Sequence, residues 1–387
     1  MENKIKENFL KKIKENQILK KEGGFNCIPF PFERFSKKIP GIIQGQEITI
    51  SANSGIGKSM ISKYMFIFHP FLWCRENKQS GITVKILAFL LEETRQEFLA
   101  IAYSFFLKHF YNITISPTDI SSMRENPLSD FVYNKMLELD NIMDEFLDVV
   151  IIEDNISNPT GIYKSVQNYA ELNGQVYLKE IKIDGNKTQV FDYYIPNKPK
   201  EYVLTYTDHI SLLQPEKGLT LHQTISLFSA EYCRKKLSKR YNITNIRIQQ
   251  QSAASENQQF DNRGNNIYSK LEPSLADLAD NKLTQRDCHL ILGLFSPDRY
   301  EIPNYLGFDI YAMRDNYRCL SVLKNRNGIS NIKVSLYFDG ATCNFKELPV
   351  VSKNENGEFM IGEYTKGVFF KKYKENKEFW FNNNKLF

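Results

Sequence analysis

Residues 51–59 read Ser51-Ala52-Asn53-Ser54-Gly55-Ile56-Gly57-Lys58-Ser59. The stretch follows a β-branched, strand-like run, Glu47 to Ala52, and opens a helix-like segment from Lys58 to Trp73, with a break expected near Pro70. Strand, small residues, Gly-Lys-Ser, helix is the order that lets backbone N–H groups close around phosphate oxygens at a helix start. The fingerprint of such a cradle is G-x-x-x-x-G-K-[ST]; here its first position is Ala52. On this reading Asn53, Ser54, Gly55, Ile56 and Gly57 wrap the phosphates and Lys58 neutralises them. The Ser59 hydroxyl is placed to ligate Mg²⁺. The alternative is a chance turn, so the decision rests on what stands at the other strand ends.

Working outward, strand-like and helix-like segments alternate. Val84 to Leu91, Asp148 to Ile152, Tyr202 to Tyr206, Ile246 to Ile248 and Leu290 to Phe295 read as strands, as do Cys319 to Leu323 and Ile332 to Phe338. Arg95 to Tyr111 and His222 to Tyr241 read as helices. Continuous apolar strands separated by helices predict an α/β fold with a mostly parallel central sheet covered on both faces. A C-terminal antiparallel hairpin is expected to follow it. Residues 175–196 alternate around Asp184-Gly185 and predict a β-hairpin insertion. Residues 252–270 are polar and without periodicity, which marks a long loop. Residues 1–24 form a basic amphipathic helix closed by Gly23-Gly24, either packed on its own core or reaching a neighbouring subunit. The main domain spans 25–350, and a tail covers 351–387.

Three strand ends carry chemistry. Phe89-Leu90-Leu91-Glu92-Glu93-Thr94 ends in two carboxylates at the edge where open α/β sheets bind ligands. One of them can take a proton from an attacking water. The same acids also suit a helix N-terminus through its dipole. Tyr202 to Asp208 delivers a carboxylate able to hold Mg²⁺ through water, although a lone Asp is also a common cap. Ile246-Arg247-Ile248-Gln249-Gln250-Gln251 ends in glutamines, and Gln250 can sense a γ-phosphate. His209 reads as a polar-contact residue.

Composition excludes several classes. With 42% hydrophobic and 25% charged residues over 387 positions, the chain can fill a core, and wholesale disorder is excluded. No apolar run approaches a membrane span, and the charged start Met1-Glu2-Asn3-Lys4 does not lead a secretion signal. The six cysteines, Cys27, Cys74, Cys233, Cys288, Cys319 and Cys343, show no C-x-x-C spacing, so neither a zinc site nor a disulfide framework is expected. A net charge of +5 permits a nucleic-acid partner without requiring one.

In order, these blocks resemble the RecA-like ATPase domain of DnaB-type hexameric replicative helicases, from about Ile28 to Leu348. The resemblance is carried by Ile39-Pro40-Gly41 through Gly57-Lys58-Ser59, by Ile86 to Thr94, by Pro273 to Leu278 with Gln285 to Phe295, and by Leu323-Lys324-Asn325-Arg326-Asn327-Gly328. It implies ATP and Mg²⁺ as cofactors, Glu92 as general base with Glu93 as the second candidate, Asp208 as metal residue and Gln250 as sensor. Lys324 and Arg326 would reach the neighbouring subunit's nucleotide. The loop 252–270 would contact single-stranded DNA through Arg263 and Lys270. A hexameric homo-oligomer, a primase or loader partner and a cytoplasmic setting, bacterial or that of a phage host, are likewise implied. The chain departs from the family at His289, where an acid is usual, and at Ser296, where an Arg is usual. It also departs in the 175–196 insertion and in lacking the family's N-terminal helical domain ahead of the cradle. A scaffold or loader ATPase that does not unwind is the rival reading.

Overall fold

The β-branched run that precedes the glycines becomes the middle of a nine-stranded sheet. The strands are β1 Glu47–Ala52, β2 Thr83–Leu90, β3 Val150–Glu153, β4 Glu201–Asp208, β5 Thr244–Gln250, β6 Leu290–Phe295, β7 Tyr317–Asn325, β8 Lys333–Asp339 and β9 Asn344–Glu347. The computed structural model describes residues 2–183, 186–257, 267–279, 281–348, 352–353 and 359–360. The sheet order is β9-β8-β7-β6-β1-β5-β4-β2-β3. The six strands from β6 to β3 run parallel. β7, β8 and β9 extend the sheet antiparallel, one strand beyond the expected hairpin.

Alternation along the parallel strands sorts their side chains between two cores. Ile48, Ile50, Ile86, Leu204, Ile246 and Ile248 face one core, shared with Phe66, Phe68, Phe105 and Phe146 of the covering helices. Leu87 and Phe89 face the other, shared with Ile162, Val166, Phe228 and Leu237. Burial on both faces is why these strands read as continuous apolar runs.

The helix after the cradle continues through Pro70, contrary to the expected break. It runs as Lys58–Lys63, a π-helical turn Tyr64–Phe68, and His69–Glu76. The π turn resets the ladder just upstream, so Pro70 falls in the first turn of the following segment, where its missing N–H costs nothing. Arg95–Tyr111 starts on a capping box, Thr94 with Glu97, which fixes the chain immediately after the acid pair.

Gly174–Ile183 and Asn186–Pro196 pair as an antiparallel hairpin; its turn, Asp184-Gly185, lies outside the described residues. The helix Glu2–Lys21 leaves Phe9, Leu10, Ile13 and Ile18 exposed. Most of the 351–387 tail lies outside the described residues. No helix among the described residues is long and apolar enough to cross a membrane.

Candidate active site

β1 ends where the chain needs two positive φ angles, and glycine supplies both. Gly55 has φ 74° and Gly57 φ 96°. Gly57 caps the helix that Lys58 opens, and its carbonyl accepts from Ile61 N at 3.0 Å. Lys58 is buried, and with partly exposed Gly57 and Ser59 it lines a cavity of about 550 Å³, within the range of small-ligand sites. Ser54, Gly55, Gly57, Lys58 and Ser59 form one wall; Glu92, Glu93 and Asp208 form another. Sequence reasoning placed these residues at three strand ends, and the parallel sheet brings those ends together.

Not every cradle side chain is free for a ligand. Asn53 is buried, donating to Tyr300 Oη at 2.7 Å and accepting from Ser255 Oγ at 3.1 Å. Ile56 is buried in the core beneath. Neither is among the residues that line the cavity, and the side-chain chemistry falls to Ser54, Lys58 and Ser59.

The two adjacent acids have different surroundings. Glu92 has a 54% exposed side chain, with one oxygen 3.8 Å from His209 Nε2. Glu93 is 18% exposed and sits 2.9 Å from the ammonium of Lys63, a residue 2% exposed. The same ammonium lies 3.8 Å from Asp208 Oδ2, which also accepts from Tyr206 Oη at 3.2 Å. Burial pushes the Glu93 carboxyl up while Lys63 opposes it. Burial works to lower Lys63, but the charges of Glu93 and Asp208 outweigh it and the ammonium is held above its ordinary value. Burial, with the neighbouring Asp208, pushes the Tyr206 phenol well above its usual range, so it stays a donor.

Asp208 Oδ1 is buried without a hydrogen-bond partner on the cavity wall. An unsatisfied carboxylate oxygen on the cavity that Ser59 also lines fits Mg²⁺, which keeps water and phosphate among its ligands. Among the described residues no cluster of three or more His, Cys, Asp or Glu offers an all-protein metal cage. Ser59, Asp208 and a phosphate would supply the ligands instead.

Gln250 ends β5 level with Ala52, on the sheet face that carries Ile246 and Ile248. It is not a lining residue of the cavity. Its neighbours turn the other way: Gln251 Nε2 donates to Ser51 Oγ at 2.6 Å, and Gln249 Nε2 to Ala279 O at 2.6 Å.

Several cavity residues carry no sequence signal of their own. Arg318 of β7 is 1% exposed; its Nε donates to the cradle carbonyl of Ile56 at 2.7 Å and its Nη2 to Asp315 Oδ1 at 2.6 Å. Its guanidinium stacks over Phe338 at 4.7 Å, and Phe338 in turn approaches Gly57, where an added Cβ would lie 3.4 Å from the ring. Arg299 bridges Ser54 O at 2.5 Å and Glu256 at 3.1 Å. Only the fold brings residues this distant in the chain to the cradle.

Lys324 and Arg326 stand at the opposite edge of the sheet. Lys324 pairs with Ile291, and Arg326 N donates to His289 O at 2.9 Å. Their side chains donate to the carbonyls of Gln285 and Arg286. Through Ile291, Lys324 stands level with Thr49, three residues below the strand end at Ala52, about 10 Å, and Arg326 lies lower still, beside His289. His289 accepts from Glu47 N at 3.0 Å; burial and the nearby Arg326, Arg234, Arg247 and Lys324 hold its pKa below the ordinary value. Lys270 is exposed at the end of a 3₁₀ turn, Tyr268–Lys270. Arg263 lies outside the described residues.

No protein-family model and no curated protein sequence matches the chain. Solved structures match its shape. The ATPase domain of G40P superposes with a TM-score of 0.61 at 18% identity, covering 88% of this chain and 98% of that one. A DnaB-like replicative helicase, whose structure was described with its interactions with primase, gives a TM-score of 0.58 at 18% identity. That match covers 84% of this chain and 64% of the helicase, so the chain spans less than two thirds of that protein. At this identity the likeness establishes the fold: a RecA-like α/β domain shared with DnaB-like helicases.

Proposed function

We propose that the chain is an oligomeric, Mg²⁺-dependent ATPase of the DnaB type that translocates on single-stranded DNA and separates strands. The carrying observation is the cavity that brings Lys58, Ser59, Glu92 and Asp208 to one edge of the sheet. ATP would lie with its phosphates along the backbone of 54–59, and Lys58 would balance their charge. Mg²⁺ held by Ser59 and, through water, Asp208 would stabilise charge on the transferred phosphoryl group. Glu92 is the exposed acid on the wall and would accept the proton of the attacking water. Gln250, at the end of β5, would report the phosphate state to the loop that follows it.

Supporting this coupling, the loop beginning at 252 is tied to the cradle at its root. Ser255 bonds Asn53, and Arg299 joins Glu256 to Ser54. A shift of the cradle would therefore be felt where DNA contact by Arg263 and Lys270 is proposed. Lys324 and Arg326 would act on the next subunit's nucleotide, a role their distance from the home site favours. The Glu2–Lys21 helix, with its exposed apolar face, would be an arm for a neighbouring subunit. A primase or loader, and a cytoplasmic setting in a bacterium or a phage host, complete the reading.

Arg326→Ala should leave ATP binding intact and lower DNA-stimulated hydrolysis by about a thousandfold or more, the usual contribution of a trans-acting arginine. The unwinding claim is tested on a forked duplex with a dye-labelled strand. A scaffold or loader ATPase would bind and hydrolyse without releasing that strand, and this result would refute the helicase reading.

A further inference from the structure

We propose that Lys63 is a positioning residue that assigns the two adjacent acids different tasks. It locks Glu93 into a buried ion pair and leaves Glu92 as the proton acceptor. The inference rests on the ATPase reading of this cavity and deepens it.

The geometry supplies the argument. Lys63 is the sixth residue of the helix that Lys58 opens, fully buried, with its ammonium 2.9 Å from Glu93 and 3.8 Å from Asp208. Ser62 beside it accepts or donates at 2.8 Å with Tyr206 Oη, and that phenol donates to Asp208. Two carboxylates are thus held near one another by one internal cation. Without that cation the two buried carboxylates would stand together with no counter-charge. With it, Glu93 is paired and Asp208 keeps Oδ1 free on the wall. Glu93 is committed to a partner it cannot leave without stranding a buried ammonium. Glu92, a residue earlier, is solvent-accessible and lines the cavity. Adjacent acids that are identical in sequence are therefore unequal in chemistry, and the cause lies thirty residues upstream.

The test is a set of variants assayed for ATP hydrolysis, for binding of a fluorescent ATP analogue and for melting temperature. Glu92→Gln should lose hydrolysis by about a hundredfold or more, the usual weight of a general base, with analogue affinity within about threefold. Lys63→Met alone should lower kcat and melting temperature together, because it leaves Glu93 buried and unpaired. Replacing the whole pair, Lys63→Met with Glu93→Leu, removes both charges at similar volume. It should restore the melting temperature and bring kcat to within about tenfold of the wild type, since a buried ion pair exchanged for apolar groups is often neutral. Adding Glu92→Gln to this double variant should again cost about a hundredfold in hydrolysis, because Glu92 remains the proton acceptor. A well-folded double variant as inactive as Glu92→Gln overturns the assignment, as does an active Glu92→Gln. Wild-type protein that neither binds the analogue nor hydrolyses ATP overturns the ATPase reading, and this inference with it.

Discussion

Arg318 shows how much of the site depends on residues that carry no motif. Its guanidinium spends its donors on Ile56 O, Asp315 and Tyr317 O, and its face lies on Phe338. A planar fork that stacks and donates at once cannot be copied by an ammonium. Arg318→Lys should therefore weaken ATP-analogue binding by about tenfold or more, the scale of one charged hydrogen bond, as read by fluorescence titration. At this scale the sequence was legible where function needs a rare residue type in a fixed place: Gly57, Lys58, Ser59. It was half legible at Glu92 and Glu93, where both acids qualify by position and only the buried Lys63 separates them. Arg318 and Arg299 were illegible, because their partners lie some 245 to 262 positions away.

The helix that leaves the cradle shows the limit for elements. Its apolar stripe announces a helix, but Pro70 suggests a break that a π turn instead absorbs. Inside this helix His69 sits with Nε2 on Pro29 O at 2.8 Å, and burial lowers its pKa to about 4. The unfolded chain takes up the proton near pH 6.5. The contribution of His69 is whole above that value and is lost as pH falls toward 4. Between pH 6.5 and 5 this amounts to at most about 2 kcal/mol, one pKa unit being worth about 1.4 kcal/mol. His69→Gln keeps a donor for Pro29 without titrating, so its urea midpoint should fall less over that interval than the wild-type midpoint. The strands were legible because burial on both faces makes apolar runs. The short edge strand β9, with Asn344 and Glu347 at its ends, has no such run and went unread.

For the whole molecule, the parallel order and the placing of chemistry at one sheet edge followed from alternation of strand and helix. The fold puts Lys58 at one edge of the sheet and Lys324 and Arg326 toward the other. If sites form between copies, inactive Lys58→Ala and inactive Arg326→Ala proteins should complement when mixed. An equal mixture leaves about a quarter of interfaces with both residues intact, and ATPase measurements should recover about that share of wild-type turnover. No recovery would place both residues in one self-contained site. The backward course of β7 gives this arrangement a mechanical meaning. From Arg318, gripping its own cradle, to Lys324 is six residues of extended backbone, about 20 Å of stiff connecting rod. If copies assemble as proposed, that rod would tie each subunit's grip on its nucleotide to the posture of the residues it offers its neighbour.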